Sequence, residues 1–384
     1  MESFDLQNFK TINTIIERDS KDSTYKFALL RGVIEISQEY QHLRHETGDL
    51  VSLPLGLLIE KWLLYYYPLI ESQEFLPQLH GEKPDSAHKR ISFRPVFREV
   101  TDYYAGKGGF SVFYNDYVNG SFPAEISSSV GELIGKLKTT ITTMPMKHLG
   151  RSHGHRDFSI FSYNNDARRM SAGMPVSQES VVNYSGTFSF RKDLFLVFQY
   201  LGSFISGDDS LIYQWAEFTS KASGGSHTVA SVMETLRTVP ETGRAVSEAR
   251  QVYTQLHGKN HGLDCVWSGK PITDLAMLHV DHLIPFSVWK NNNLWNLLPA
   301  LESVNAKKRD KIPSPDFIHK RSDAIVSYWD SMSGVYPRRF SREINLALIG
   351  SPEKLPGWQD AALERLGEKC EYLIEVRGFD AWSM

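Results

Sequence analysis

Hydrophobic positions recur at helical spacing through most of this chain. In Thr24 to Tyr40 (TYKFALLRGVIEISQEY), Phe27, Leu30, Val33 and Ile34 repeat at intervals of three and four behind Ser23 and Thr24, which are good capping residues, and the spacing predicts a helix. Leu53 to Ile70 (LPLGLLIEKWLLYYYPLI) is apolar enough to suggest a membrane span. Glu60 and Lys61 interrupt its centre and Pro54 and Pro68 bracket it, so a buried helix is expected, packed through Trp62 and Tyr66 on the first. Helical stripes return at Leu211, Trp215 and Phe218, over Val246 to Leu256, at Ile325, Tyr328 and Trp329, and at Phe340, Ile344 and Leu348. One stretch alternates instead: Val182, Tyr184, Phe188 and Phe190 interleave with Asn183, Ser185, Thr187 and Ser189. This predicts a strand with Gly186 interrupting its apolar face.

A chain of 384 residues should hold two or three domains. The patterns divide it into a helical region at 1–80, a mixed α/β region at 81–255 suited to recognising DNA or a partner, a turn-rich segment at 256–312 crowded with His, Asp and Asn, and helices at 313–384 packing on that segment. The class is therefore α+β, mostly helical and multi-domain. A net charge of -3 gives no global attraction to nucleic acid or anionic lipid, so any basic site must be local. The two cysteines, Cys265 and Cys370, are too few for a disulfide framework or a four-cysteine zinc site and fit a reducing compartment. Met1 to Asp5 carries acids where an export signal would be basic and then apolar, so a cytoplasmic protein without a membrane partner is expected.

The chemistry concentrates in one string. His279-Val280-Asp281-His282-Leu283-Ile284-Pro285 is followed by Asn291 to Leu298 (NNNLWNLL) and then by Asn305-Ala306-Lys307-Lys308-Arg309. A carboxylate directly before a histidine at the end of an apolar strand offers an oxygen ligand for a hard cation beside an imidazole base. Asn305, on a helix expected from about Ala300 to Lys308, offers an amide oxygen to the same ion without adding charge.

This string resembles the HNH, or ββα-metal, nuclease family, in particular the HNH domains of large CRISPR effector nucleases and of bacterial restriction-type enzymes. The resemblance spans Cys265 to Ile312. Fourteen positions separate His282 from Asn296 and nine separate Asn296 from Asn305, matching the family's catalytic His, loop-bracing Asn and metal-binding Asn. The resemblance implies a ββα-metal core near the C-terminus and hydrolysis of DNA phosphodiester bonds. Asp281 and Asn305 would hold Mg²⁺ or Mn²⁺, His282 would act as general base, and Asn296 would brace the catalytic loop without direct chemistry. His279, two residues before Asp281 and on the same strand face, is a further ligand or a phosphate contact. Many relatives bind a structural zinc through paired Cys-x-x-Cys knuckles. Only Cys265 remains here, so no structural zinc is expected, and packing of Trp267, Leu278 and Leu283 should hold the hairpin.

Basic residues near this string and elsewhere are candidate phosphate contacts. Lys307, Lys308 and Arg309 end the expected helix, where cations also favour the dipole. Lys136 to Arg169 holds seven Lys or Arg against two acids, with Phe158, Phe161 and Tyr163 interleaved, and Lys147, Arg151 and Arg156 are its nucleic-acid-binding candidates. Lys83 to Lys107, six against three, is a weaker one. The front of the chain is similar to the N-terminal region of standalone bacterial HNH proteins, which implies a restriction or anti-phage role and a front part that positions DNA or receives a defence-complex partner; because one HNH centre cuts one strand at a time, a homodimer is a further expectation. The alternatives are a nuclease effector subunit activated by a partner, guide complex or nucleotide signal, and a non-catalytic DNA-binding protein with a degenerate HNH fold.

Overall fold

The computed structural model describes residues 22–84, 89–150, 159–165, 173–206, 211–240, 246–260, 262–289, 291–350 and 356–384, with 10, 12 and 14. The chain forms two compact units, Met1–Glu241 and Thr242–Met384.

The first unit is built around two helices, α1 (Tyr25–Glu39) and α2 (Leu55–Glu71). α2 is buried along nearly all its length because its apolar residues circle the whole helix, leaving no polar face to present to water. Its Trp62, Tyr66 and Tyr67 are fully buried and pack edge-on or tilted against Phe93, Trp215 and Phe113. Thr24 precedes α1 but does not cap it: its hydroxyl shares a 2.9 Å hydrogen bond with Tyr66 OH, tying the two helices together at a buried point. Between the helices lies a hairpin, β1 (His45–Thr47) and β2 (Leu50–Pro54), in a region expected to be helical. After α3 (Arg94–Ala105), α4 (Gly109–Asn119), α5 (Ala124–Thr143), the single turn α6 (Pro145–His148) and β3 (Ser162–Asn164), the chain enters α7 (Gln178–Tyr184) and β4 (Thr187–Arg191). Strand pairing therefore runs across residue 80, in an antiparallel sheet of order β1-β2-β4-β3.

The stretch read as one strand over Val182 to Phe190 is half helix. Ser177 and Ser180 form a reciprocal capping box that starts α7, and Gly186, at φ 92°, reverses the chain before β4 begins. The start of α2 runs against α7 so closely that a Cβ at Gly56 would lie 2.1 Å from the Val181 carbonyl oxygen. Helices α8 (Lys192–Ser206), α9 (Leu211–Ala222) and α10 (Val229–Arg237) complete the unit. Leu211, Trp215 and Phe218 line the buried face of α9, as their spacing predicts.

The second unit opens with α11 (Ser247–Asn260) and the short hairpin β5 (Leu263–Asp264) and β6 (Pro271–Ile272). The antiparallel pair β7 (Leu278–His282) and β8 (Leu297–Leu301) follows, and then α12 (Glu302–Lys308), so that two strands and a helix stand in the expected order. α12 starts two residues later than expected because Ala300 and Leu301 still pair with β7. Beyond β9 (Ile312–Pro313) come α13 (Pro315–Lys320), α14 (Ser322–Val335), α15 (Pro337–Ile344), α16 (Trp358–Glu375) and β10 (Ala381–Trp382), which pairs in parallel with β9. Trp329, Phe340, Leu348, Trp358 and Leu366 from this segment share one hydrophobic core with Trp267, Leu278, Leu283 and Trp295. Among the described residues, no helix is long and apolar enough to cross a membrane.

Candidate active site

The site is a loop closed by one asparagine and backed by one buried ion pair. β7 delivers Asp281 and His282 at its end, opposite Leu298 and Leu297 of β8. The intervening loop folds back through Asn296, which is fully buried. Its Oδ1 accepts the Ile284 amide at 2.8 Å, its Nδ2 donates to the Ile284 carbonyl at 3.1 Å and to the Asn291 carbonyl at 3.3 Å, and its own carbonyl accepts the Leu283 amide at 2.7 Å. One side chain thus satisfies the backbone of an irregular segment that has no ladder partner.

The C-terminal helices hold the same loop from outside. Glu343 of α15 accepts the Leu294 amide at 2.6 Å, with Arg339 on its other oxygen, and Trp329 of α14 donates its indole N–H to the Trp295 carbonyl at 2.8 Å. Burial nevertheless raises the Glu343 carboxyl above its ordinary range, against the pull of Arg339. Tyr253 of α11 donates to the Leu297 carbonyl at 2.7 Å.

Asp281 is 3 % exposed. Its Oδ2 accepts the Trp267 indole N–H at 2.7 Å, and the Lys308 ammonium lies 3.1 Å from Oδ2 and 3.3 Å from Oδ1. Lys308 also donates to the His282 carbonyl at 2.6 Å. It is completely buried, so the expectation of a phosphate contact is corrected for this residue: its charge is spent on Asp281. Lys307 and Arg309 beside it are exposed, as is Lys147 in the first unit, whereas Arg151 and Arg156 lie outside the described residues.

Asn305 precedes Lys308 by three positions on α12, the spacing of neighbours on one side of a helix. Asn305 is half-buried there. His279 is half-exposed, with Nε2 3.9 Å from the Glu302 carboxylate. The His282 ring is 1 % exposed and lies against Phe286, with centroids 5.3 Å apart. Its Nε2 is 3.1 Å from Asn292 Oδ1, a contact that the Nε2–H tautomer of the neutral ring satisfies, with Nδ1 then the basic nitrogen. Trp267, Lys308 as a counter-ion, Asn292 and Glu343 are the parts sequence reasoning missed. Of these only Lys308 left a signal, three residues from Asn305.

Among the described residues no group of three His, Cys, Asp or Glu could hold a metal. One carboxylate, Asp281, and one amide oxygen, Asn305, suit the hard cation that binds through one or two carboxylates and keeps several waters, as Mg²⁺ does. A carboxylate has about four acceptor positions, so Trp267 and Lys308 leave Asp281 room for a further partner. The donors therefore fit a divalent cation in kind. Cys265 is a buried free thiol at the β5–β6 turn, where its carbonyl accepts the Gly269 amide at 2.8 Å, and Cys370 is free and buried, its thiol pushed up to about 12 by burial.

Two strands, a loop tied by Asn296 and a following helix stand in the order of an HNH endonuclease domain. The family of HNH endonucleases matches residues 265–314, and the chain is accordingly a phosphodiester hydrolase of the class whose substrate is DNA. Through residues 5–236 the chain belongs to the family described as domain of unknown function (DUF8808). No curated protein and no solved structure matches it.

Proposed function

We propose that the chain is a metal-dependent endonuclease that cuts DNA in bacterial restriction or anti-phage defence, with Asp281 and Asn305 holding Mg²⁺ or Mn²⁺ and His282 acting as general base. The observation that carries this reading is the closure of the β7–β8 loop on Asn296, which sets a buried carboxylate and a buried imidazole at one strand end. His282 Nδ1 takes the proton from the water that attacks phosphorus, while Asn292 holds the opposite ring nitrogen and so fixes the tautomer. Asn296 keeps the imidazole in register with the strand. Lys307 and Arg309, exposed at the end of α12, meet the phosphate backbone. When bound, the cation supplies charge stabilisation to the phosphate and the departing 3′ oxygen, which leaves 5′-phosphate and 3′-hydroxyl ends. The front unit, joined to a nuclease core too small to choose targets alone, supplies target choice, and the free buried thiols accord with a cytoplasmic setting.

The test is cleavage of supercoiled plasmid by the purified chain with Mg²⁺ and with EDTA. Cutting in Mg²⁺ alone, lost in Asp281→Asn, supports the reading, and cutting that survives EDTA overturns it. Burial of both Asp281 and His282 favours a second reading in which a partner, guide complex or nucleotide signal opens the site. Silence of the chain alone, relieved by such an activator, distinguishes it. A single centre cuts one strand at a time, so double-strand breaks call for a homodimer or two successive nicks.

A further inference from the structure

We propose that Lys308 is a resident stand-in for the divalent cation: it neutralises Asp281 in the metal-free protein and competes with the metal for that carboxylate. The proposal rests on the reading of Asp281 as a ligand and deepens it. Three oxygens surround the ammonium, the two of Asp281 at 3.1 and 3.3 Å and the His282 carbonyl at 2.6 Å, one for each of its three N–H donors. The Trp267 ring lies 5.7 Å from the same nitrogen, and no part of the side chain reaches solvent. An ammonium seated in an all-oxygen cradle occupies the kind of environment a hard metal ion selects.

Two consequences follow from charge alone. Without Lys308 the buried carboxylate would be left uncompensated, so the lysine stabilises the empty site. With Lys308 in place, a metal ion drawn to Asp281 meets a second positive charge where solvent screens poorly, so its affinity is held down. An incoming phosphodiester adds negative charge to the same place and restores the balance. Metal loading is thereby coupled to arrival of the nucleic acid, and Lys308 is a positioning residue acting through Asp281.

The test measures Mn²⁺ binding to the full chain by the loss of the free-ion paramagnetic signal, and Tb³⁺ binding by luminescence sensitised through Trp267, without nucleic acid. Lys308→Gln keeps an N–H donor and removes the charge, and it should bind Mn²⁺ at least about tenfold more tightly than wild type. Lys308→Met should melt at a lower temperature in EDTA and recover in Mn²⁺ by a larger shift than wild type shows. Asp281→Asn should abolish Mn²⁺ binding in both backgrounds. If Lys308→Gln binds Mn²⁺ equally or less tightly while Asp281→Asn still abolishes it, the stand-in role is overturned and the metal site stands. If both lysine variants lose the same stability with and without Mn²⁺, Lys308 is structural only. If Asp281→Asn leaves Mn²⁺ binding intact, the metal assignment falls and takes this proposal with it.

Discussion

Both units bury carboxylates in their interiors, and Glu60 and Asp281 are handled in opposite ways. Glu60 of the first unit sits next to Lys61 in sequence, yet Lys61 turns to Glu35 at 2.8 Å and Glu39 at 2.7 Å. Glu60 keeps a hydrogen bond donated by Gln178 at 2.8 Å, and burial pushes its carboxyl up to about 7. Burial also acts on Glu35, but Lys61 and Arg31 outweigh it and hold that carboxyl at about 2. In the second unit Asp281 draws a dedicated ammonium from a helix 27 residues downstream. Asp281 is instead kept paired with a cation that two of its own oxygens and the His282 carbonyl surround.

The imidazole carries the largest expected effect. His282→Ala should lower the rate of DNA cleavage by about 10²–10⁴-fold, the usual worth of a general base, with Mn²⁺ binding retained; single-turnover kinetics against metal titration checks both. Asn296→Ala comes next. It strips the Ile284 amide and carbonyl of their partner in a buried place, so about 2–4 kcal/mol should be lost in urea unfolding together with activity.

Glu60 sharpens the other side. Its folded carboxyl titrates near 7 and an unfolded one near 4.5, so between these values the folded state binds the extra proton and stability falls as pH rises. The loss is complete about one pH unit above the folded value. From pH 5.5 to 8, wild type should therefore lose about 2 kcal/mol that Glu60→Gln does not, measured by denaturant midpoints at each pH. Glu35, at about 2, does not titrate in that window. The smallest effect is at Arg309, the one described non-glycine residue with positive φ, at 52°. Arg309→Gly should stabilise the chain by about 1 kcal/mol in thermal melts while weakening DNA binding through loss of an exposed charge.

How much of this was legible beforehand depended on how local the cause was. α1, α2 and α9 were readable because their apolar spacing reflects burial against neighbours on one or all sides. The HNH core was readable because Asp281, His282, Asn296 and Asn305 lie within one short stretch whose spacing is set by a strand, a loop and a helix. Val182 to Phe190 misled because alternating apolar and small polar residues suit a strand, while the capping box at Ser177 and Ser180 and the reversal at Gly186 split it. Lys308 misled for a different reason. A lysine closing a short helix suggests a solvated charge, and only packing of α12 on β7 and β8 turns it inward to Asp281. The Trp267 contact and the Glu343 brace likewise join positions 14 and 49 residues from their partners, beyond the reach of any local pattern.

The most direct measurement is single-turnover cleavage of end-labelled DNA by wild type, Asp281→Asn and His282→Ala in Mg²⁺, with circular dichroism to show that all three are folded and with the activator supplied if the chain alone is silent. Wild type should give products bearing 5′-phosphates, and each variant should cut at a rate at least about 10²-fold lower. Folded variants that cut at the wild-type rate would contradict the proposed roles of Asp281 and His282.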